Sequence, residues 1–154
     1  MIPLKQHTTT MKKIFMAMTA LLMCLSANAF EFDGIDLNGN AVDITRQISA
    51  KGYIYNEAKN CLVGNCQGTD IELSINLYDV SQRDKIGQLI VNVPMTEKNA
   101  FVSVAQAFNV IYHQTQKTDS EITYQVSNDG TQLVVAKTAD GIRLTYNTPY
   151  YKVR

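Results

Sequence analysis

The sequence predicts an α+β domain: an antiparallel sheet of about six or seven strands with two helices packed on one face. Three observations carry this. Ile71, Leu73, Ile75 and Leu77 alternate strictly with Glu72, Ser74, Asn76 and Tyr78, the period of a strand with one buried and one wet face. Phe101, Val104, Ala105, Phe108 and Ile111 recur at helical spacing. Near the C-terminus, three strand-like runs are separated by turns that both carry Asp-Gly, the pair suited to tight hairpins.

The first 29 residues read as an export signal. Lys12 and Lys13 precede an apolar run from Ile14 to Leu25, and Ala27-Asn28-Ala29 offers a cleavage site before Phe30. The run is too short to span a bilayer, which needs about 20 residues. Met11 opens the signal cleanly, so residues 1–10 read as an N-terminal extension of it. Leu21-Leu22-Met23-Cys24 resembles a lipoprotein box, with lipidation at Cys24 as the minor alternative. Met23 is larger than that box prefers. The expected compartment is therefore periplasmic or extracellular, and residues 30–154 form the expected single domain.

Cleavage at Ala29 removes Lys5, Lys12 and Lys13. It leaves 11 basic against 14 acidic residues, a net charge of −3. No basic patch remains, which argues against nucleic acid as a partner. No later segment is long and apolar enough to span a membrane.

Along the mature chain, Glu31 to Leu37 reads as a short strand with Gly34 as a bulge mark. Asn38-Gly39 is a turn and Asn40 caps a helix with Ala41, Ile44 and Ile48 on one side. Lys51-Gly52 ends that helix. Strands follow at Tyr53 to Glu57, Ile71 to Tyr78 and Ile86 to Val93, where Pro94 cannot donate to a ladder. Ser81 to Lys85 is a turn. Thr96 is expected to cap a second helix reaching about Gln114. Glu121 to Val126, Thr131 to Lys137 and Ile142 to Asn147 then form the meander. The two strand–helix–strands halves suggest an internal duplication.

Cys61 and Cys66, with four residues between them, sit between two strand signals. In an exported chain they are expected to form a disulfide across a hairpin neck. A redox pair would use two intervening residues. His113 is the sole histidine of the mature chain and falls near the expected helix end, where a cation suits the dipole. One histidine and two bridged cysteines do not make a zinc site. Asp36-x-Asn38-x-Asn40 starts like a calcium loop, but Ala41 and Gln47 stand where glycine and glutamate are required. No nucleophile elbow, phosphate loop or dinucleotide fingerprint is present, so no catalytic residue and no cofactor is expected. With no tryptophan in the chain, the strongest sugar-stacking platform is missing.

Tyrosine suits binding surfaces, since it offers apolar area and a hydroxyl at low entropic cost. Among the eight tyrosines, Tyr78, Tyr150 and Tyr151 are the candidate recognition surface, and Tyr78 is expected to be exposed.

Phe32-Asp33-Gly34-Ile35-Asp36-Leu37-Asn38-Gly39, followed by a helix ending Ala50-Lys51-Gly52-Tyr53, resembles the start of small exported bacterial domains of unknown function. Those read F-x-G-I-x-hydrophobic-x-G; Asp36 stands here where they usually carry proline. The layout is also similar to β-lactamase-inhibitor-protein-like domains, a fold-level likeness that carries no site residues. The leading expectation is a small exported non-catalytic binding domain, its partner a protein or a small envelope ligand. The alternatives are a carboxylate-dependent hydrolase and a structural envelope component.

Overall fold

The computed structural model describes residues 30–153. The expected signal segment and Cys24 lie outside them. The described chain runs β1 (Glu31–Phe32), β2 (Ile35–Asp36), α1 (Ala41–Ala50), β3 (Ile54–Asn56), β4 (Cys61–Cys66), β5 (Thr69–Asn76) and β6 (Gln88–Pro94). It continues with α2 (Ala100–Ile111), β7 (His113–Lys117), β8 (Glu121–Gln125), β9 (Gln132–Lys137) and β10 (Gly141–Asn147). Strands β3 to β10 form one eight-stranded sheet, ordered β3-β4-β5-β6-β10-β9-β8-β7 and antiparallel throughout. The α+β class holds, with eight strands in the main sheet rather than six or seven.

The order is a palindrome. A helix followed by a four-stranded meander occurs twice, and the two meanders join along β6 and β10. At the middle of that seam Val91 faces Leu144, and both are fully buried. Side chains on one sheet face join the buried residues of both helices in one core. From the strands come Leu73, Leu89, Val91, Ile122, Leu133, Val135 and Leu144; the helices add Ile44, Ile48, Phe101, Val104 and Phe108.

Local chemistry explains α1. The Asn40 side chain accepts from the Val42 N–H at 2.9 Å, satisfying one of the helix's orphan donors. Gly52 has φ +96°, the left-handed conformation glycine tolerates after a helix end. Asp36 Oδ1 accepts from the Asn38 N–H at 2.9 Å, so Asp36, Asn38 and Asn40 serve turn and cap chemistry.

Several expectations are corrected. Residues 31–37 form a two-stranded ribbon, with Asp33 and Gly34 both at positive φ, as a tight primed hairpin requires. Helix α2 begins at Ala100, with Asn99 and not Thr96 at its N-cap, and no side chain caps it. It stops at Ile111, so His113 opens edge strand β7 instead of closing the helix. Gly130 has positive φ, but Gly141 does not. Gly141 is needed for another reason: a Cβ there would stand 2.1 Å from the Val93 carbonyl oxygen.

The Cys61–Cys66 disulfide is also not formed, because Cys61 is a free cysteine. The two cysteines are the first and last residues of β4, which at ~3.3 Å per residue separates them by roughly 16 Å. A disulfide needs Cα atoms within about 7 Å. The CLVGNC segment is a strand and not a loop. Its interior glycine is covered by the Tyr53 ring, which a Cβ on Gly64 would approach to 2.3 Å.

Candidate binding face

The second face of the eight-stranded sheet is uncovered. Register places Glu72, Ser74 and Asn76 of β5 beside Asn92, Ile90 and Gln88 of β6. Those stand beside Arg143, Thr145 and Asn147 of β10. Gln132 and Val134 of β9, then Thr123 and Gln125 of β8, continue the rows. These positions are half-buried or exposed, in contrast to the largely buried opposite face.

One row consists of amides. The Asn76 Nδ2 donates to Gln88 Oε1 at 2.9 Å, and Gln88 Nε2 donates to Asn147 Oδ1 at 2.8 Å. Across the sheet the row continues as Gln132, Gln125 and His113. Two rows further along the same face, beyond Ser74, Ile90 and Thr145, Arg143 Nε donates to Asn92 Oδ1 at 3.1 Å.

The sequence-nominated tyrosines gather at the end of this amide row. Tyr78 follows β5 and is 84% exposed. The chain after β10 returns beside the segment leading into β6: Val80 bridges Tyr151, and the Ser81 N–H donates to the Tyr150 carbonyl at 2.8 Å. Lys85 Nζ lies 5.1 Å from the Tyr150 ring centroid, within cation–π range. Fold topology thus brings together tyrosines more than seventy positions apart in sequence. The amide row and its register escaped sequence reasoning. The Asn and Gln residues were visible, but nothing local fixed which strands neighbour which.

Two depressions flank the middle of the open face. One, of about 440 Å³, is lined by Asn56, Lys59, Asn65, Asp70, Glu72 and Pro94, among others. Lys59 Nζ pairs with Glu72 Oε1 at 3.0 Å, and Asn65 Nδ2 donates to Asp70 Oδ1 at 3.1 Å. Glu72 faces this side of β5, as does Asp70 two residues earlier. The other depression, of about 420 Å³, lies over β7, β8 and β9 and is lined by amide and hydroxyl side chains. The Cys61 thiol, buried beside Glu72, is pushed above its ordinary pKa mainly by desolvation and further by that carboxylate, which disfavours the reactive thiolate. His113 is exposed on β7.

Among the described residues, no group of three or more His, Cys, Asp or Glu side chains is placed to hold a metal ion. No helix among them is long and apolar enough to cross a membrane. Searches against protein-family models, curated proteins and solved structures return no match to this chain.

Proposed function

We propose that this chain is a small exported, non-catalytic binding domain. It recognises its partner through the open face of the eight-stranded sheet, with Tyr78, Tyr150 and Tyr151 as a rim. The observation that carries this reading is the one-sided architecture. Both helices serve one sheet face, and the other is a mainly polar surface over the central strands, crossed by the amide row of Asn76, Gln88 and Asn147. The sheet's edges are poorly suited to strand addition. β3 has three residues, and β7 carries a register shift between Gln114 and Gln116 and ends in Lys117. Short strands, bulges and lysines are the usual means of blunting an edge. The face is therefore the better recognition surface.

The test is site-specific photo-crosslinking in cells exporting the full chain. The photoreactive residue is placed at Gln88 on the open face, at Tyr78 on the rim, or at Val110 on the helical side, which is 87% exposed. Defined products from Gln88 and Tyr78, with none from Val110, support the reading. Products from Val110 alone, or from none of the three, overturn it.

A second reading, a carboxylate-dependent hydrolase, has one observation in its favour: Asp70 and Glu72 line the same depression. Both are engaged by internal partners, Asn65 and Lys59, whereas acid–base work needs carboxyl groups free to meet a substrate. Turnover that disappears in Glu72→Gln would establish this second reading over the first.

A further inference from the structure

We propose that the depression over β7, β8 and β9 is a subsite for a neutral saccharide; this rests on the open-face reading and names its ligand class. The lining contains no charged side chain: Gln116, Gln125, Asn128 and Gln132 supply amides, Thr123 a hydroxyl, and Val134 a small apolar floor. The equivalent depression of the other half carries Lys59, Asp70 and Glu72. Neutral lining offers an ionic ligand no compensation for lost hydration. It matches a ligand dense in uncharged hydroxyls.

Each amide presents two donors and an acceptor at one tip, the pairing that neighbouring sugar hydroxyls need, since each both donates and accepts. At about 420 Å³, the depression falls within the size range of small-ligand sites.

The donors are partly preorganised. Gln125 Nε2 donates to the Ser127 carbonyl and to Asn128 Oδ1, both at 3.3 Å. This orients the Gln125 Oε1 acceptor and the Asn128 Nδ2 donors without occupying them. The Ser127 and Thr131 hydroxyls both donate to Asp129, which pins the turn forming the rim. Gln116 and Gln132 make no side-chain hydrogen bond within the described residues, so their amides remain available. An extended peptide fits less well. Peptides dock on strand edges or through pockets for apolar side chains, and here the strand backbones are already paired on both sides at β8 and β9. Without an aromatic platform, recognition rests on hydrogen bonds, so single-site affinity should be modest.

The experiment is a backbone-amide NMR titration of the purified exported chain. The probes are neutral oligosaccharides (glucose-, galactose- and N-acetylglucosamine-based) and a sulfated oligosaccharide. Expected are shifts concentrated on β7 to β9 with a neutral probe, weakened about tenfold in Gln132→Ala, the scale of one lost hydrogen bond to a ligand. Gln125→Ala should act alike, and both changes lie at exposed positions that leave the core intact. Absence of shifts with every neutral probe overturns the proposal. So does binding of the sulfated probe alone, or neutral-probe binding that Gln132→Ala leaves unchanged. Failure here with open-face crosslinks from Gln88 still present would refute the saccharide and leave the binding-domain reading standing.

Discussion

Helices α1 and α2 hold equivalent places, each leading a four-stranded meander, yet their chemistry diverges. α1 carries Asp43 and Arg46, is capped by Asn40, and buries only Ile44 and Ile48. α2 has no charged residue and no side-chain cap, and it buries Ala100, Phe101, Val104, Ala105 and Phe108. The open faces of the halves diverge as well. Lys59, Asp70 and Glu72 line the depression of the first half, while amides and hydroxyls line that of the second. What the halves share is strand order and the buried row through Val91 and Leu144. Strand pairing and burial thus suffice to build this sheet with helices held by different means. The open-face side chains then vary without cost to the core, and that is where function is best sought.

The sharpest break of the comparison is to empty one helix's core contact at a time. Phe108 is buried against Tyr112 and Tyr124, so Phe108→Ala should destabilise by about 3–5 kcal/mol. Ile48→Ala on α1 should cost about 2–5 kcal/mol, and less than Phe108→Ala, since an apolar side chain of smaller area is lost. Denaturant melts of the two variants test this. Equal or reversed losses would show that α1, despite its smaller buried stripe, holds the fold as firmly as α2.

The caps sharpen the same contrast at smaller magnitude. Asn40→Ala removes a made hydrogen bond and should destabilise by about 0.5–2 kcal/mol. Asn99→Ala removes none and should leave the thermal midpoint nearly unchanged. A comparable loss at both sites would mean that Asn99 does cap α2 in solution.

Two buried tyrosines on the core face extend the test. The Tyr124 hydroxyl lies 3.0 Å from the Ala105 carbonyl and 2.9 Å from Asn109 Oδ1, tying β8 to α2. The Tyr146 hydroxyl is buried with no hydrogen-bond partner among the described residues. Tyr124→Phe should therefore cost about 0.5–1.5 kcal/mol, whereas Tyr146→Phe should be neutral or stabilising, since it relieves an unsatisfied polar group. Chemical denaturation of both variants reads the difference in sign.

Much of this fold was legible because its local signals were strong. The alternation from Ile71, the helix repeat from Phe101 and the C-terminal meander all stand within a few residues of their expected places. The two strands that escaped notice had no such signal. HQTQK of β7 has no apolar residue and exists through its pairing with β8. CLVGNC of β4 lacks alternation and holds an interior glycine, against which the Tyr53 ring packs. The disulfide expectation failed for the same reason, since taking β4 for a loop brought its two ends falsely together. The candidate site was half legible. Tyr78, Tyr150 and Tyr151 could be nominated from residue type, but the amide row depends on β6 pairing with β10, a long-range register that no local pattern announces.

The smallest expected effect concerns the rim of the neutral depression and separates the halves by pH. The Asp129 carboxyl is held below its ordinary pKa, first by the Ser127 hydroxyl, then by the Thr131 hydroxyl, with the Thr131 N–H adding to both. Folding therefore makes Asp129 harder to protonate than it is in the unfolded chain. Its contribution is complete at neutral pH, above the unfolded value of about 3.9, and is lost as pH falls through the lower folded value. Asp129→Asn should lower the thermal midpoint slightly at pH 7, and the gap from wild type should narrow as the solution is acidified below about pH 4. Comparing variant with wild type cancels the other carboxylates, which titrate in both. A gap that persists unchanged at acid pH would mean that shape, not charge, holds the turn. A gap that widens would contradict the direction of the shift itself. In either case the rim would lose the charged anchor that orders Ser127 and Thr131, and the preorganisation argued for the neutral subsite would have to rest on Gln125 and Asn128 alone.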